Sequence, residues 1–213
     1  MQTIVIIDYG SGNLRSAERA VAEAARAFDA TVTVTNDPNR VRKADRVILP
    51  GVGAFGDCIR GLNAIEGMRG ALEESVTKGG KPFLGICVGM QLMAERGLEH
   101  GEHKGLGWIE GEVSALEVYD PALKIPHMGW NAATPKRVSA LFPNPETPAQ
   151  EFYFVHSYVL KPADPGVIAS VTTHGVEFCS AVCKDNLAGV QFHPEKSQRA
   201  GLQLLSRFLE WRP

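Results

Sequence analysis

Residues 83–91 read Phe83-Leu84-Gly85-Ile86-Cys87-Val88-Gly89-Met90-Gln91. A short apolar run follows the sharp stop Lys78-Gly79-Gly80-Lys81-Pro82, which predicts a buried strand over 83–86 running into Cys87. Glycines on both sides of the cysteine let the chain turn tightly, so that a side chain projects from the strand end as a helix begins. A thiol in that position is a candidate nucleophile, and a following helix favours its thiolate through the dipole and unpaired N–H groups. The same pattern also suits a tight strand-to-helix turn around an inert buried cysteine.

Upstream of this turn, apolar β runs alternate with helical stretches. Strands are expected over 3–9, 31–35 and 45–50, with a helix to about residue 28 and a second helical region to about residue 77. Apolar character on both strand faces predicts a parallel sheet covered by helices on both sides. From Trp108 onward alternating strands take over, at 110–118, 151–159, 167–173, 176–183 and 187–192, and a helix over 197–211 closes the chain. The expectation is one α/β domain spanning 1–213, a three-layer open sheet that is mixed but mostly parallel, with flanking helices.

The 22 Lys and Arg against 24 Asp and Glu give no net attraction to phosphate backbones or anionic membranes. Nucleic-acid and membrane partners are therefore not expected. The apolar run 4–7 is interrupted by Asp8 and lacks a preceding basic segment, so it reads as neither signal peptide nor membrane span, and a cytoplasmic location is expected. The four cysteines, Cys58, Cys87, Cys179 and Cys183, are too scattered for a disulfide framework, and no metal site is expected of them.

Two further segments carry chemistry. His193-Pro194-Glu195 follows a strand, and the proline pushes His193 toward β geometry, which predicts extended chain at His193 and Glu195, two apart and pointing the same way, so that one carboxylate can orient one imidazole. A cysteine with a histidine base held by a third group is the pattern of thiol acyl transfer, although a histidine near a glutamate is also common on surfaces. Pro50-Gly51-Val52-Gly53-Ala54-Phe55-Gly56 sits at the C-terminal end of an expected parallel strand, where open α/β sheets bind ligands. Its glycines suit backbone donors for an oxyanion or a peptide flip, and equally an ordinary βα loop. Gly10-Ser11-Gly12 fails as a dinucleotide fingerprint because Arg15 stands where the third glycine belongs, and it reads as part of the site rim.

Together, Gly85-Ile86-Cys87-Val88-Gly89-Met90-Gln91 and His193-Pro194-Glu195 resemble the class I (triad) glutamine amidotransferases. Asp8-Tyr9-Gly10-Ser11-Gly12-Asn13-Leu14, Pro126-His127-Met128-Gly129-Trp130-Asn131 and Phe154-Val155-His156-Ser157-Tyr158 extend the resemblance along almost the whole chain. They narrow it to the branch that serves histidine biosynthesis. Val88, where the family usually has Leu, and Ser157, where Thr also occurs, are the departures. Residues 142–150 match nothing diagnostic.

The resemblance implies a flavodoxin-like core and hydrolysis of L-glutamine through a thioester on Cys87, with His193 as base and acid and Glu195 orienting it. It implies an oxyanion hole from Val88 and a flippable Gly51-Val52 peptide, and glutamine binding by Gly53, Gln91, Glu99, Ser157 and Tyr158. From the residue alone, Glu99 suits a substrate ammonium and equally a solvated helix-end charge. The resemblance further implies no cofactor and no metal, and a separate (β/α)₈ cyclase partner that uses the ammonia to make imidazole glycerol phosphate and whose nucleotide ligand strongly stimulates the glutaminase. Asn13, Met128, Trp130, Tyr153 and Lys196 are placed by resemblance at that interface. Met and Trp are enriched in interface cores, although a strand-end tryptophan can equally close a protein's own core. The chain's length, which is accounted for by an ammonia-making fold alone, points to the same partner. The glutaminases of anthranilate, aminodeoxychorismate and pyridoxal phosphate synthesis lack the His127 to Asn131 motif; a catalytically dead homologue would lack part of the triad.

Overall fold

The computed structural model describes every residue except Pro145 and Thr147, which lie in the stretch 142–150. Nine strands form one sheet. Its first half is β2 (Ala30–Thr35), β1 (Gln2–Ile7), β3 (Arg46–Gly51), β4 (Phe83–Cys87) and β13 (Leu187–Val190), all parallel and in that order. The order 2-1-3-4-5 is that of flavodoxin-like sheets. β12 (Val176–Lys184), β11 (Ile168–His174), β8 (His127–Pro135) and β9 (Gln150–His156) continue it antiparallel. The mixed sheet of the sequence reading is thus observed, with the ends of most expected strands displaced by one or two residues and with β8 a strand that the alternation pattern does not place.

β3 and β4 are buried along their whole length, as expected of central strands covered on both faces. α1 (Leu14–Ala24) buries Ala17, Val21 and Ala24, one helical face, and α6 (Gln198–Glu210) buries Leu204, Leu205, Phe208 and Leu209. The end of α6 is held by the buried Arg46 guanidinium, which donates to the carbonyls of Phe208 at 2.9 Å and Trp211 at 2.6 Å. Carbonyls at a helix C-terminus lack intrahelical donors, so this cation satisfies them and ties α6 to β3.

Four expectations need correction. The strand expected over 151–159 is two strands, β9 and β10 (Tyr158–Pro162), because Ser157 turns the chain out of the large sheet. β10 joins a second sheet of order β10, β7 (Ile109–Ala115), β5 (Ala94–Gly97), β6 (His103–Lys104), which the alternation pattern does not reveal. The helical region after residue 54 is split into α3 (Phe55–Ala64), α4 (Met68–Leu72) and a π-helical turn over Glu73–Lys78, with Gly67 left-handed at the break. The helix after Cys87, α5 (Val88–Gln91), is a single turn. α2 (Pro38–Lys43) is an addition, opened by Asp37, whose carboxylate accepts from the Asn39 N–H at 2.8 Å. Among the described residues no helix is long and apolar enough to cross a membrane.

Candidate active site

The C-terminal ends of β3, β4 and β13 meet at one edge of the sheet, and the cysteine lies there. Cys87 adopts φ 54° and ψ −113°, a left-handed conformation rare outside glycine and costing about 1–3 kcal/mol. The flanking glycines are required by contact. A Cβ on Gly89 would fall 1.8 Å from the Leu49 carbonyl oxygen, and one on Gly85 would fall 2.5 Å from the Gly89 oxygen. A Cβ on Gly51 would meet the Tyr9 hydroxyl at 2.6 Å. The turn and the end of β3 are therefore packed backbone to backbone, and the Tyr9 side chain closes against Gly51.

His193 follows β13 in extended geometry, and its Nδ1 donates to Glu195 Oε1 at 2.8 Å, with both side chains almost wholly buried. Glu195 itself lies in a 3₁₀ turn, Pro194–Lys196, rather than the extended chain expected. The turn forms because the Lys196 N–H returns to the His193 carbonyl and Ser197 Oγ donates to the same oxygen. His193 Nε2 is buried without a hydrogen-bond partner, on the wall of the cavity that Cys87 also lines. Burial opposes charge on His193, but the nearby Cys87 sulfur and the hydrogen-bonded Glu195 carboxylate outweigh it and push the imidazole up to about 10.

That cavity holds about 270 Å³. Val52, Gly53, Val88, Gln91, Glu99, His156, Ser157 and Tyr158 line it together with Cys87 and His193. Every residue expected to touch glutamine is thus gathered around Cys87. Glu99 also accepts from the Phe55 N–H at 2.7 Å, so the carboxylate caps the start of α3 while it lines the cavity. The Gln91 side chain is buried, with its amide nitrogen engaged by the Tyr158 carbonyl at 2.9 Å and by Gln191 Oε1 at 3.1 Å.

The Gly51-Val52 peptide is held from outside the cavity. The Val52 N–H donates to Ser11 Oγ at 3.2 Å, and the Ser11 hydroxyl donates back to the Val52 carbonyl, which also accepts from the Cys58 thiol at 3.4 Å. The Val52 N–H is therefore in use, whereas Val88 opens a helical turn, where N–H groups lack intrahelical partners. Ser11 and Cys58 were not singled out by sequence reasoning as residues that touch this peptide.

Cys179 and Cys183 are buried thiols on β12, and burial pushes the Cys179 thiol up to about 12. No group of three metal-ligating side chains occurs among the described residues. Of the five interface candidates, four share one surface. Met128 and Trp130 are 63% and 46% exposed, Tyr153 pairs with Trp130 across β8 and β9, and Lys196 Nζ lies 5.6 Å from the Tyr153 ring centre. Asn13 stands apart from them in the chain, half-buried at the start of α1.

Residues 5–211 match the model of the family described as glutamine amidotransferase class-I. The chain is 56% identical to the imidazole glycerol phosphate synthase subunit HisH of Caulobacter vibrioides, with all of both chains covered. It is 51% identical to the HisH subunit of Rhodospirillum rubrum, over 99% of each. A crystal structure of a glutamine amidotransferase superposes with a TM-score of 0.73 at 16% identity, covering 97% of both chains, which concerns the fold alone. The chain therefore belongs to the class-I glutamine amidotransferases, and within them to the HisH glutaminase subunits of imidazole glycerol phosphate synthase.

Proposed function

We propose that Cys87, His193 and Glu195 form the glutaminase centre, and that the ammonia passes to a separate (β/α)₈ cyclase in the cytoplasm. That partner would make imidazole glycerol phosphate and aminoimidazole carboxamide ribotide for histidine biosynthesis. The observation that carries the reading is one cavity shared by Cys87 and an otherwise unpartnered His193 Nε2, with Glu195 fixed behind the ring at 2.8 Å.

In this reading His193 takes the Cys87 proton, and the sulfur attacks the side-chain carbonyl carbon of glutamine. As the C–N bond breaks, the proton on His193 Nε2 leaves with ammonia. Water deprotonated by His193 then cleaves the γ-glutamyl thioester and releases glutamate and the thiol. Glu195 holds the imidazole with Nε2 toward the sulfur and stabilises its charge. Gly53, Gln91, Glu99, Ser157 and Tyr158 bind glutamine, Glu99 taking the substrate ammonium. The N–H groups of Val88 and Val52 hold the oxyanion, the second only after the Gly51-Val52 peptide turns away from Ser11. No metal or organic cofactor takes part.

Asn13, Met128, Trp130, Tyr153 and Lys196 would meet the cyclase. Support for coupling across that surface comes from β9: the Tyr153 carbonyl accepts from the His193 N–H at 2.9 Å, and its N–H donates to Ser197 Oγ at 3.0 Å. The test is Cys87→Ala mixed with the cyclase. Loss of glutamine-dependent turnover with ammonium-dependent turnover retained is expected; unchanged glutamine use overturns the nucleophile. Transfer of ammonia to a chorismate-type acceptor enzyme and none to the cyclase overturns the assigned partner.

A further inference from the structure

We propose that Gln191 is a further catalytic residue, whose side-chain amide donates a hydrogen bond to the Cys87 sulfur and is aimed there by Gln91. The inference rests on Cys87 being the nucleophile. Gln191 is fully buried between β13 and His193, and its Nε2 lies 3.6 Å from Cys87 Sγ. A buried amide almost always finds partners, and here the partners decide which end faces the sulfur.

The order of donors is forced. The Tyr158 carbonyl can only accept, so the Gln91 nitrogen must face it, at 2.9 Å. The second hydrogen on that nitrogen reaches Gln191 Oε1 at 3.1 Å. With its oxygen committed, Gln191 presents nitrogen to the thiol. The same Tyr158 carbonyl accepts from His156 Nδ1 at 3.1 Å, and His156 Nε2 accepts from His127 Nδ1 at 3.0 Å. Asn131 Nδ2 donates to His127 Nε2 at 3.1 Å, and the Ala132 N–H on Asn131 Oδ1 at 2.8 Å fixes that amide too. One run of hydrogen bonds, whose donor direction reverses at the doubly accepting Tyr158 carbonyl, thus leads from β8 to the nucleophile.

The contact favours the anion. A neutral thiol is a weak acceptor, whereas bonds to an ionised partner are about twice as strong as neutral ones. Gln191 therefore helps the thiolate form before attack and helps the sulfur depart when water cleaves the thioester. A single turn of helix after Cys87 contributes little dipole, which leaves side-chain donors to hold the charge.

The test follows alkylation of Cys87 in the full chain by iodoacetamide, with the S–C bond formed as iodide leaves and the site read by mass spectrometry. Gln191→Met should lower the rate at pH 7 by about tenfold and move the midpoint of the pH–rate profile to alkaline pH. Gln191→Glu, close to isosteric, should move it further, because a carboxylate repels the thiolate. For glutamine hydrolysis, kcat should fall with KM within about twofold. A wild-type alkylation profile in either folded variant overturns the proposal. If neither variant folds, the wild-type side-chain amide of Gln191 is followed by NMR. Its resonance should move with the midpoint for Cys87 alkylation, and a resonance indifferent to that midpoint overturns the proposal. Failure of the underlying reading looks different: alkylated wild-type protein would still hydrolyse glutamine.

Discussion

Ser11→Ala should raise the glutaminase activity of the chain without its partner. In the resting structure one hydroxyl holds both polar atoms of Val52, accepting from its N–H at 3.2 Å and donating to its carbonyl. Only the Val52 N–H belongs to the Gly51-Val52 peptide, the carbonyl being part of the next one, so the bond that restrains the turn is the one at 3.2 Å, worth about 1 kcal/mol as a neutral hydrogen bond. If the peptide must turn before its N–H can face the oxyanion, losing that bond favours the turned state by roughly fivefold. Basal kcat should rise by about that factor with KM little changed, while the activity reached with the cyclase and its nucleotide ligand stays the same, since Ser11 is already released there. Glutamate release measured with and without the partner decides it. Unchanged basal turnover, or an equal fall in both states, refutes the assignment of Ser11 as the restraint.

Trp130→Ala should weaken association with the cyclase by more than tenfold, about 1.4 kcal/mol or more, in a titration by calorimetry, with little change in melting temperature; unfolding at unchanged affinity would return the ring to the core. Gly89→Ala should cost at least about 3 kcal/mol in urea denaturation and abolish glutaminase activity, because the new Cβ would be driven 1.8 Å from the Leu49 oxygen. Stability should peak near pH 6.5. Burial lowers His127 to about 4 and His156 to about 3, so below 6.5 the unfolded chain takes up two protons more and stability falls. His193, raised to about 10, contributes stability present below 6.5 and lost as pH rises toward 10, so the acid limb should be the steeper. Denaturation midpoints flat from pH 5 to 8.5 would contradict those environments.

The centre of the parallel half was legible because its strands are buried on both faces and read as short apolar runs, as at Arg46–Gly51 and Phe83–Cys87. The small sheet was not, because its pairing depends on partners remote in the chain. Residues 151–159 carry one alternation, yet Ser157 divides them between two sheets. Nothing in period-two patterning marks that break; it is set by β7 and by Leu116 just after it, whose N–H donates to the Ser157 carbonyl at 2.8 Å. The one-turn length of α5 was hidden for a related reason: Leu92 and Met93 keep helical spacing but belong to the approach to β5.

Cys87, His193 and Glu195 could be named because motif chemistry is local: a glycine-flanked cysteine and a His-Pro-Glu turn carry their geometry with them, whereas the residues expected to touch glutamine came from the family resemblance. The residues that hold this machinery are of another kind. Gln191 stands in Gly189-Val190-Gln191-Phe192-His193, a polar side chain in an apolar strand end, and that alone says it must find a partner once buried. It does not say which one. The answer depends on Gln91, a hundred positions away, and through it on the direction of the Tyr158 carbonyl. Ser11 is similar: its motif places it at the site rim, but its hold on Val52 exists only because Gly51 lets that loop settle against Tyr9. Residues that react can thus be read one segment at a time, whereas residues that set the direction of a hydrogen bond are defined by acceptors the fold supplies from elsewhere. The second class also provides the connection between exposed β8 and the thiol, so a change of partner contact at Met128 or Trp130 has a physical route to Cys87 through Asn131, His127 and His156. Breaking that route at His127, with Trp130 intact, should lower the stimulation of glutaminase by the cyclase while leaving its affinity unchanged. Stimulation retained in full by His127→Phe would mean the hydrogen bonds orient the site but do not couple it to the partner.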